Sequence, residues 1–342
     1  MTTTATRSPT QFVNDPADAV TDYLTGLAAA HPDLLHVDPT NRIVVRADGP
    51  VPGKVGVLSG GGSGCEPLHT GLVGPGMLDA ACPGGIFSSP VPDQILAATN
   101  WADTGAGVLH IIKNFTGEIM NFEMAAELAE DDGGIDIESV IVNDDVAVRD
   151  IPGTAGRRGL GGTVLVEKIA GAAADRGDDL ASVADVARRA ASRARTFGIG
   201  LSSCTRPGAG SPIFALPAGE IELGIGISGE PGRQRGVLRP ARELAAILVG
   251  EVLSDLQLDG DAEVVAMLSG MGGTPVRELY LLYGEVDRLL RDAGVTPRRR
   301  LVGNFITSLD QSGAALTVLE LDDELTSLWD APVHTAALRW GR

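Results

Sequence analysis

Val55-Gly56-Val57-Leu58-Ser59-Gly60-Gly61-Gly62-Ser63-Gly64-Cys65-Glu66-Pro67 sets an apolar run directly against a glycine-rich segment. Val55–Leu58 reads as a buried strand and Gly60–Gly64 as the loop that leaves it. The same order recurs twice: Val108–Ile112 runs into Lys113-Asn114-Phe115-Thr116-Gly117-Glu118, and Ile221–Ile227 runs into Ser228-Gly229-Glu230-Pro231-Gly232. Loops of this composition present backbone N–H groups and one or two side chains to a small polar ligand. None of the loops Ser59–Pro67, Ile111–Glu118 and Gly224–Gly232 contains histidine.

Working outward, the apolar runs Val55–Leu58, Val108–Ile112 and Ser139–Val142 alternate with helix-like segments Asp93–Trp101 and Met120–Ala129. That alternation predicts an α/β domain with a largely parallel sheet. Ligands of such sheets gather at the carboxyl ends of strands, where Ser59–Cys65, Lys113–Glu118 and Asn143–Asp145 fall. Thr163–Arg176 and Leu180–Phe197 carry apolar residues at helical spacing and read as amphipathic helices that close this first domain. Leu201–Cys204, Ile221–Ile227, Val264–Ser269, Leu279–Ala293, Arg300–Thr307 and Ala314–Leu319 then mix strands and helices again. The expectation is two α/β domains, residues 1–190 and 191–342, the first with the largely parallel sheet. Arg206–Gly219, rich in Pro and Gly, reads as a loop within the second domain, either covering a ligand or simply connecting elements.

A chain of 342 residues buries roughly three quarters of its unfolded surface and needs no disulfide or metal staple. Cys65, Cys82 and Cys204 are odd in number and lack CxxC spacing, which suits a reducing cytoplasm. Residues Met1 to Asp15 are polar and threonine-rich without an apolar signal core, and no stretch approaches membrane-spanning length. With 27 basic against 45 acidic residues, the net charge of −18 repels nucleic acid and anionic lipid. Arg298-Arg299-Arg300 reads as a solvated loop face. A cytoplasmic protein that engages neither nucleic acid nor membrane is expected.

No Gly-Lys-Ser/Thr follows Gly60–Gly64 and the dinucleotide spacing is absent, so nucleotide binding by this chain is unsupported. The candidate ligand-binding residues are Gly62, Ser63, Gly64, Lys113, Glu118 and Ser228; the candidate reacting groups are Glu118, Lys113, Cys65 and Ser228. Glu118 is a base or hydroxyl acceptor. Lys113 orients a hydroxyl or stabilises a transferring phosphoryl group, or else forms a structural ion pair. Cys65 is either a thiolate with its proton affinity lowered by Lys113 or a packing cysteine. Ser228 is a weak nucleophile without an activating base. His69, one turn past Cys65 on a predicted helix, and His110 are either pocket residues or structural ones. Asp144 and Asp145 either bind a cation or end a strand; with no second cluster at ligand spacing, no metal site is expected.

Asn121-Phe122-Glu123-Met124-Ala125, Thr154-Ala155-Gly156-Arg157-Arg158-Gly159, Leu201-Ser202-Ser203-Cys204-Thr205, Gly272-Gly273-Thr274-Pro275 and Gly303-Asn304-Phe305-Ile306-Thr307-Ser308-Leu309-Asp310 join the three loops in one resemblance. From about Phe12 onward the chain resembles the substrate-binding (K) subunit of the dihydroxyacetone kinase family. In that family a histidine at the position of Ser228 captures the ketone as a hemiaminal. A histidine at the position of Cys65 and an aspartate at the position of Glu118 flank the accepting hydroxyl. All three positions differ here, while Gly62, Ser63, Glu66, Pro67, Lys113 and Gly229–Gly232 match. The resemblance implies a homodimer, no cofactor in this chain, and ATP with Mg on a helical nucleotide-binding partner subunit or a phosphotransferase-system phosphoryl donor. The expected function is presentation of a small ketose or polyol for phosphorylation without covalent capture. The alternatives are a noncatalytic ligand sensor or coactivator, and an isomerase or lyase using Glu118 as base.

Overall fold

A computed structural model describes residues 11–148, 155–258 and 260–341. Residues 1–10 of the polar N-terminal segment and Thr154 of the matched Thr154–Gly159 segment lie outside the described residues. After helix α1 (Ala19–Ala30) come strands β1 (Leu35–Asp38), β2 (Ile43–Arg46), β3 (Gly56–Ser63) and β4 (Ala80–Ile86). Helix α2 (Pro92–Ala102), strand β5 (Val108–Lys113), helix α3 (Thr116–Gly133) and strand β6 (Ile137–Val142) follow. The six strands form one sheet in the order β1-β2-β4-β3-β5-β6. Pairs β3–β4, β3–β5 and β5–β6 are parallel, whereas β1–β2 and β2–β4 are antiparallel, so the sheet is largely parallel.

Helices α4 (Gly162–Arg176) and α5 (Leu180–Ser192) lead to β7 (Ala194–Gly200), β8 (Glu220–Leu223) and β9 (Gln234–Val237). Then come α6 (Ala241–Leu256), β10 (Glu263–Gly270), α7 (Val276–Asp292), β11 (Thr296–Gly303) and β12 (Gly313–Glu320). The chain closes with α8 (Asp323–Asp330) and a small hairpin of β13 (Val333–His334) and β14 (Arg339–Trp340). The second sheet is β11-β10-β12-β7-β8-β9, with only β10–β11 parallel. The expected division at 190/191 falls inside α5.

Local chemistry sets several boundaries. Asp179 and Asp322 cap α5 and α8 by accepting from the backbone N–H of Ser182 and Leu325. Gly134, at φ 61°, ends α3 in the left-handed conformation and returns its N–H to the last turn. In α7 the buried residues Leu279, Val286 and Leu290 lie at helical spacing along one stripe facing the second sheet.

Helix α4 departs from the amphipathic expectation, because every residue from Gly162 to Ala174 is buried. It lies between the sheets. A Cβ at Gly161, just before it, would meet Thr317 Oγ1 of β12 at 2.0 Å and Met267 Cε of β10 at 3.0 Å. On the other side, a Cβ at Gly171 would stand 2.3 Å from the Met77 carbonyl oxygen, ahead of β4. One continuous apolar cluster therefore runs from Leu24 through Val57, Leu109, Val164, Ile169 and Val265 to Leu338.

Other expectations shift with tertiary pairing. Gly60–Ser63 is the end of β3, not a loop, because Gly60 pairs with both Cys82 and Ile112. Phe197 belongs to β7 rather than to a helix, Leu201–Cys204 forms neither strand nor helix, and the strand predicted over Ile221–Ile227 stops at Leu223. Arg298–Arg300 lie on β11, not in a loop, and pair with Glu263, Asp330 and Asp287. Among the described residues no helix is long and apolar enough to cross a membrane.

Backbone, which cannot rotate away, faces Gly171. Gly171→Ala is therefore expected to lower unfolding free energy by about 1–3 kcal/mol in urea titration. Gly250→Ala, on the exposed side of α6 with open space around it, should raise it by about 0.5–1 kcal/mol.

Candidate functional site

Strands β3 and β5 run side by side and release their chains at the same edge, which brings Gly61 and Lys113 together. Lys113 is the last residue of β5; after two intervening residues α3 begins at Thr116, and Glu118 sits in its first turn. The predicted second loop is thus a strand end and a helix start joined by Asn114 and Phe115. Lys113 Nζ donates to Glu118 Oε1 at 3.1 Å, with the side chains 1 % and 5 % exposed. Glu118 Oε2 is buried and has no hydrogen-bond partner among the described residues. A Cβ at Gly61 would lie 2.3 Å from Lys113 Nζ and 2.8 Å from Glu118 Oε1, so only glycine leaves the pair its place. The Phe115 ring lies 5.5 Å from Nζ. Burial is the largest single influence and favours a neutral lysine, but the surrounding groups, Glu118 foremost, together outweigh it and hold the ammonium above its ordinary range.

The neighbouring glycines act differently from the ligand-approach reading. Space beside Gly62 is filled by the Phe87–Ser88 backbone, and Gly64, at φ 107°, lies against the Phe87 ring. The Gly64 N–H is taken by Glu66 Oε1 at 2.9 Å, and the Ser63 hydroxyl donates to the Gly84 carbonyl at 2.7 Å. The turn is held from the second half of the chain: Leu309 N–H donates to Gly64 O, Thr307 N–H to Cys65 O and the Thr307 hydroxyl to Glu66 O. A cavity of about 860 Å³ opens beside Ser63 and Glu66, with Tyr23, Pro207, Leu309 and Asp310 on its wall. Lys113, Glu118 and Ser228 do not line it.

Cys65 is 1 % exposed, and its thiol donates to the Ile227 carbonyl at 3.1 Å. Burial pushes its proton affinity well up, with Lys113 opposing and Glu66, Glu118 and Glu230 reinforcing. The thiolate reading is corrected accordingly: desolvation exceeds the attraction of one lysine that is already paired. Ser228 follows Ile227 and is half-buried; its backbone N–H donates to Glu230 Oε2 at 2.9 Å, while its hydroxyl makes no hydrogen bond among the described residues. Arg158 locks that segment, donating to Asp145 Oδ2, Glu230 Oε1 and the Gly224 carbonyl. The Arg206–Gly219 segment lies over it, since Ile213, Phe87 and Cys204 surround Gly229.

His69 is not on a helix past Cys65; the chain between them is turn, and only Thr70–Leu72 forms a short 3-10 helix. Its Nδ1 lies 2.6 Å from Glu167 Oε1 and 2.9 Å from Ser59 Oγ. His110 is fully buried, hydrogen-bonded to Thr99 and edge-on to Phe122, and burial pushes its ring down to about 3; it is structural. Asp144 caps the start of α4, accepting from Leu160 N–H, Gly162 N–H and the Thr196 hydroxyl. Burial pushes Asp145 up to about 6 even with Arg158 on it. Among the described residues no three His, Cys, Asp or Glu side chains converge as a metal site.

With this geometry in place, the comparisons are specific. Residues 25–337 match the Dak1 domain model. The chain belongs to the dihydroxyacetone kinase family. It is 45 % identical to the PEP-dependent dihydroxyacetone kinase, dihydroxyacetone-binding subunit DhaK, of Escherichia coli, over 97 % of this chain and 99 % of that one. It is 42 % identical to the D-erythrulose kinase of Mycolicibacterium smegmatis, over 97 % of this chain and 57 % of that one. Among solved structures, the dihydroxyacetone kinase operon co-activator DhaQ superposes with TM-score 0.86 at 32 % identity, covering 92 % of this chain and 96 % of that one. The dihydroxyacetone kinase of C. freundii gives TM-score 0.86 at 34 % identity over 96 % of this chain and 60 % of that one.

Sequence reasoning missed Arg158, Glu167 and the pairing of Glu230. The available signal was Glu167-Lys168 inside the otherwise apolar Thr163–Ala174 run; charges in such a helix are buried with partners or not tolerated.

A thiol whose folded-state proton affinity is raised stays protonated as pH climbs past the ordinary cysteine value. The stability it contributes is present below that value and lost above it. Cys65 is therefore expected to resist alkylation in the native protein at pH 8 and to react once the chain is unfolded, as read by mass-mapped labelling. Rapid native modification of Cys65 would contradict this.

Proposed function

We propose that this chain is the substrate-binding subunit of a dihydroxyacetone-kinase-like phosphotransferase that holds a small ketose or polyol without a covalent bond. The observation that carries the reading is the buried Lys113–Glu118 pair beneath Gly61, with one carboxylate oxygen left without a partner among the described residues. That oxygen accepts the substrate hydroxyl and then its proton, and the lysine ammonium offsets negative charge that develops on the oxygen or the incoming phosphoryl group. Ser63 and Ser228 complete the binding surface in this reading, while Gly62 and Gly64 shape the turn that carries Ser63. Noncovalent holding follows from Ser228: no base is hydrogen-bonded to its hydroxyl among the described residues, and Cys65 is a sealed, protonated thiol. Glutamate where the family has aspartate moves the carboxylate by about one methylene. A substrate longer or shorter than dihydroxyacetone is therefore favoured, since a shift of about 1 Å is worth on the order of a hundredfold in rate.

The phosphoryl donor comes from a partner, either ATP with Mg on a helical nucleotide-binding subunit or a phosphotransferase-system carrier. Two relatives matched along nearly their whole length are named as dihydroxyacetone-binding subunits of PEP- or PTS-dependent kinases, which supports the subunit arrangement. A cytoplasmic homodimer belongs to the same reading. A second reading, a noncatalytic coactivator, is favoured by the fit to the DhaQ co-activator together with the three substituted positions.

Turnover with a nucleotide-binding partner or a phosphotransferase-system donor, measured across dihydroxyacetone, the erythruloses and small polyols, separates the two. The expectation is phosphorylation of a compound other than dihydroxyacetone, lowered about a hundredfold or more by Glu118→Gln. Ligand-dependent thermal stabilisation with no phosphorylation from either donor would give the coactivator reading the field.

A further inference from the structure

Glu118 Oε2 is buried and the Lys113 side chain is 1 % exposed, so a ligand reaches the pair only after a covering segment shifts. That segment is the connection after β4, residues 87–89. Ser88 N lies 2.7 Å from where a Cβ on Gly62 would stand, and Ser89 Oγ lies 3.0 Å from where one on Gly117 would stand. Gly62 follows Gly61 and Gly117 precedes Glu118, so the connection spans the pair from the end of β3 to the start of α3. The Phe87 ring reaches further. Its Cε1 lies 2.7 Å from the Cβ position of Gly64, and its Cε2, on the opposite edge, 3.0 Å from that of Gly229. Residues 87–89 thus touch a glycine in each of the three glycine-rich segments, and the ring alone joins the first to the third.

The ring's seat has the character of a fastening. Phe87 holds φ at 53°, a left-handed backbone conformation that is costly for an aromatic residue and persists only where surrounding contacts compensate. Its N–H donates to the Ser63 carbonyl at 2.9 Å, and the Arg206 guanidinium lies 5.9 Å from the ring centroid. Arg206 opens the largely exposed residues 206–219, whose Ile213 also meets Gly229, with Cδ1 2.5 Å from the same Cβ position. Cys65 is sealed at this junction: it follows Gly64, and its thiol donates to Ile227, two residues before Gly229. Cys82 is equally buried but elsewhere, on β4, with its thiol toward the Gln94 carbonyl.

We propose that residues 87–89 are a cover over the Lys113–Glu118 pair, and that the Phe87 ring, seated between Gly64 and Gly229 beneath Arg206, is the latch that holds the cover shut until a ligand enters. The inference rests on the reading of that pair as the ligand site. Release of the ring frees the turn that carries Cys65 from the segment that carries Ser228, and opens the path to Glu118 Oε2.

The test is mass-mapped labelling of the full-length native protein at pH 8 with a thiol alkylator and an amine acylator. It uses neither ligand nor phosphoryl donor, so its failure and the failure of the phosphotransferase reading are separate results. In Phe87→Ala, Cys65 and Lys113 are expected to label about tenfold faster, as for a local opening that has lost an aromatic contact. Cys82 and Lys168, both 0 % exposed, report opening of the core and should keep their rates. Ile213→Ala, on an exposed residue that leaves the core intact, should speed Cys65 and Lys113 about threefold. Unchanged labelling of Cys65 or Lys113 in either variant, or a rise shared equally by Cys82 and Lys168, overturns the proposal. The Ile213→Ala result decides the matter even where Phe87→Ala does not fold.

Discussion

A helix that is apolar on all sides must be covered on all sides, and α4 imposes that demand on the rest of the molecule. One sheet cannot meet it. β3 and β5 cover one side, β7 and β12 another, and α5 and α8 complete the sheath. The two charged residues that the helix carries inward each have a partner: Glu167 Oε1 meets His69 Nδ1, and Lys168 donates to the Leu328 carbonyl at 2.7 Å. Asp144, at the end of β6, binds the N–H groups that open the helix and also the Thr196 hydroxyl on β7. One carboxylate thereby joins the end of the first sheet, the start of the central helix and the first strand of the second sheet.

The site follows from this closure. Strand order alone brings Gly61 and Lys113 to one edge of the first sheet, but a sheet edge is only half a site. The turn after β3 is fastened by Thr307 and Leu309, and the Cys65 thiol is capped by Ile227, all from the second half of the chain. Arg158 bridges Asp145 to Glu230 and so sets the distance between the halves where Ser228 is presented. Electrostatics at the centre are correspondingly tight, with the buried Glu118 carboxylate paired to the buried Lys113 ammonium in surroundings where an unpaired charge is costly.

Much of this was legible along the chain. Short apolar runs followed by glycine-containing loops marked β3 and β5, helix-like segments marked α2 and α3, and Lys113 and Glu118 stood out as charged residues where a parallel strand ends. The glycines were harder to interpret. Gly61 clears space for a charged pair, while Gly60 and Gly62 clear space for the backbone of Cys82 and of Phe87–Ser88; identical residues at adjacent positions thus have unrelated reasons. Cys65 was ambiguous for a similar cause, because a lysine nearby in space lowers a thiol's proton affinity only if burial does not raise it more.

By itself the sequence determined the α/β alternation, the largely parallel first sheet, the family, and the chemical types available at the strand ends, because these depend on periodicity and on residue identity at fixed spacing. Only the tertiary structure decided that α4 is enclosed rather than amphipathic, that Gly60–Ser63 is strand, that Cys65 is a sealed thiol, and that Glu167 meets His69 inside the core. Each of those depends on which distant segments cover a residue. Desolvation, ion pairing and available space are properties of the neighbours in three dimensions, and a linear pattern does not contain them.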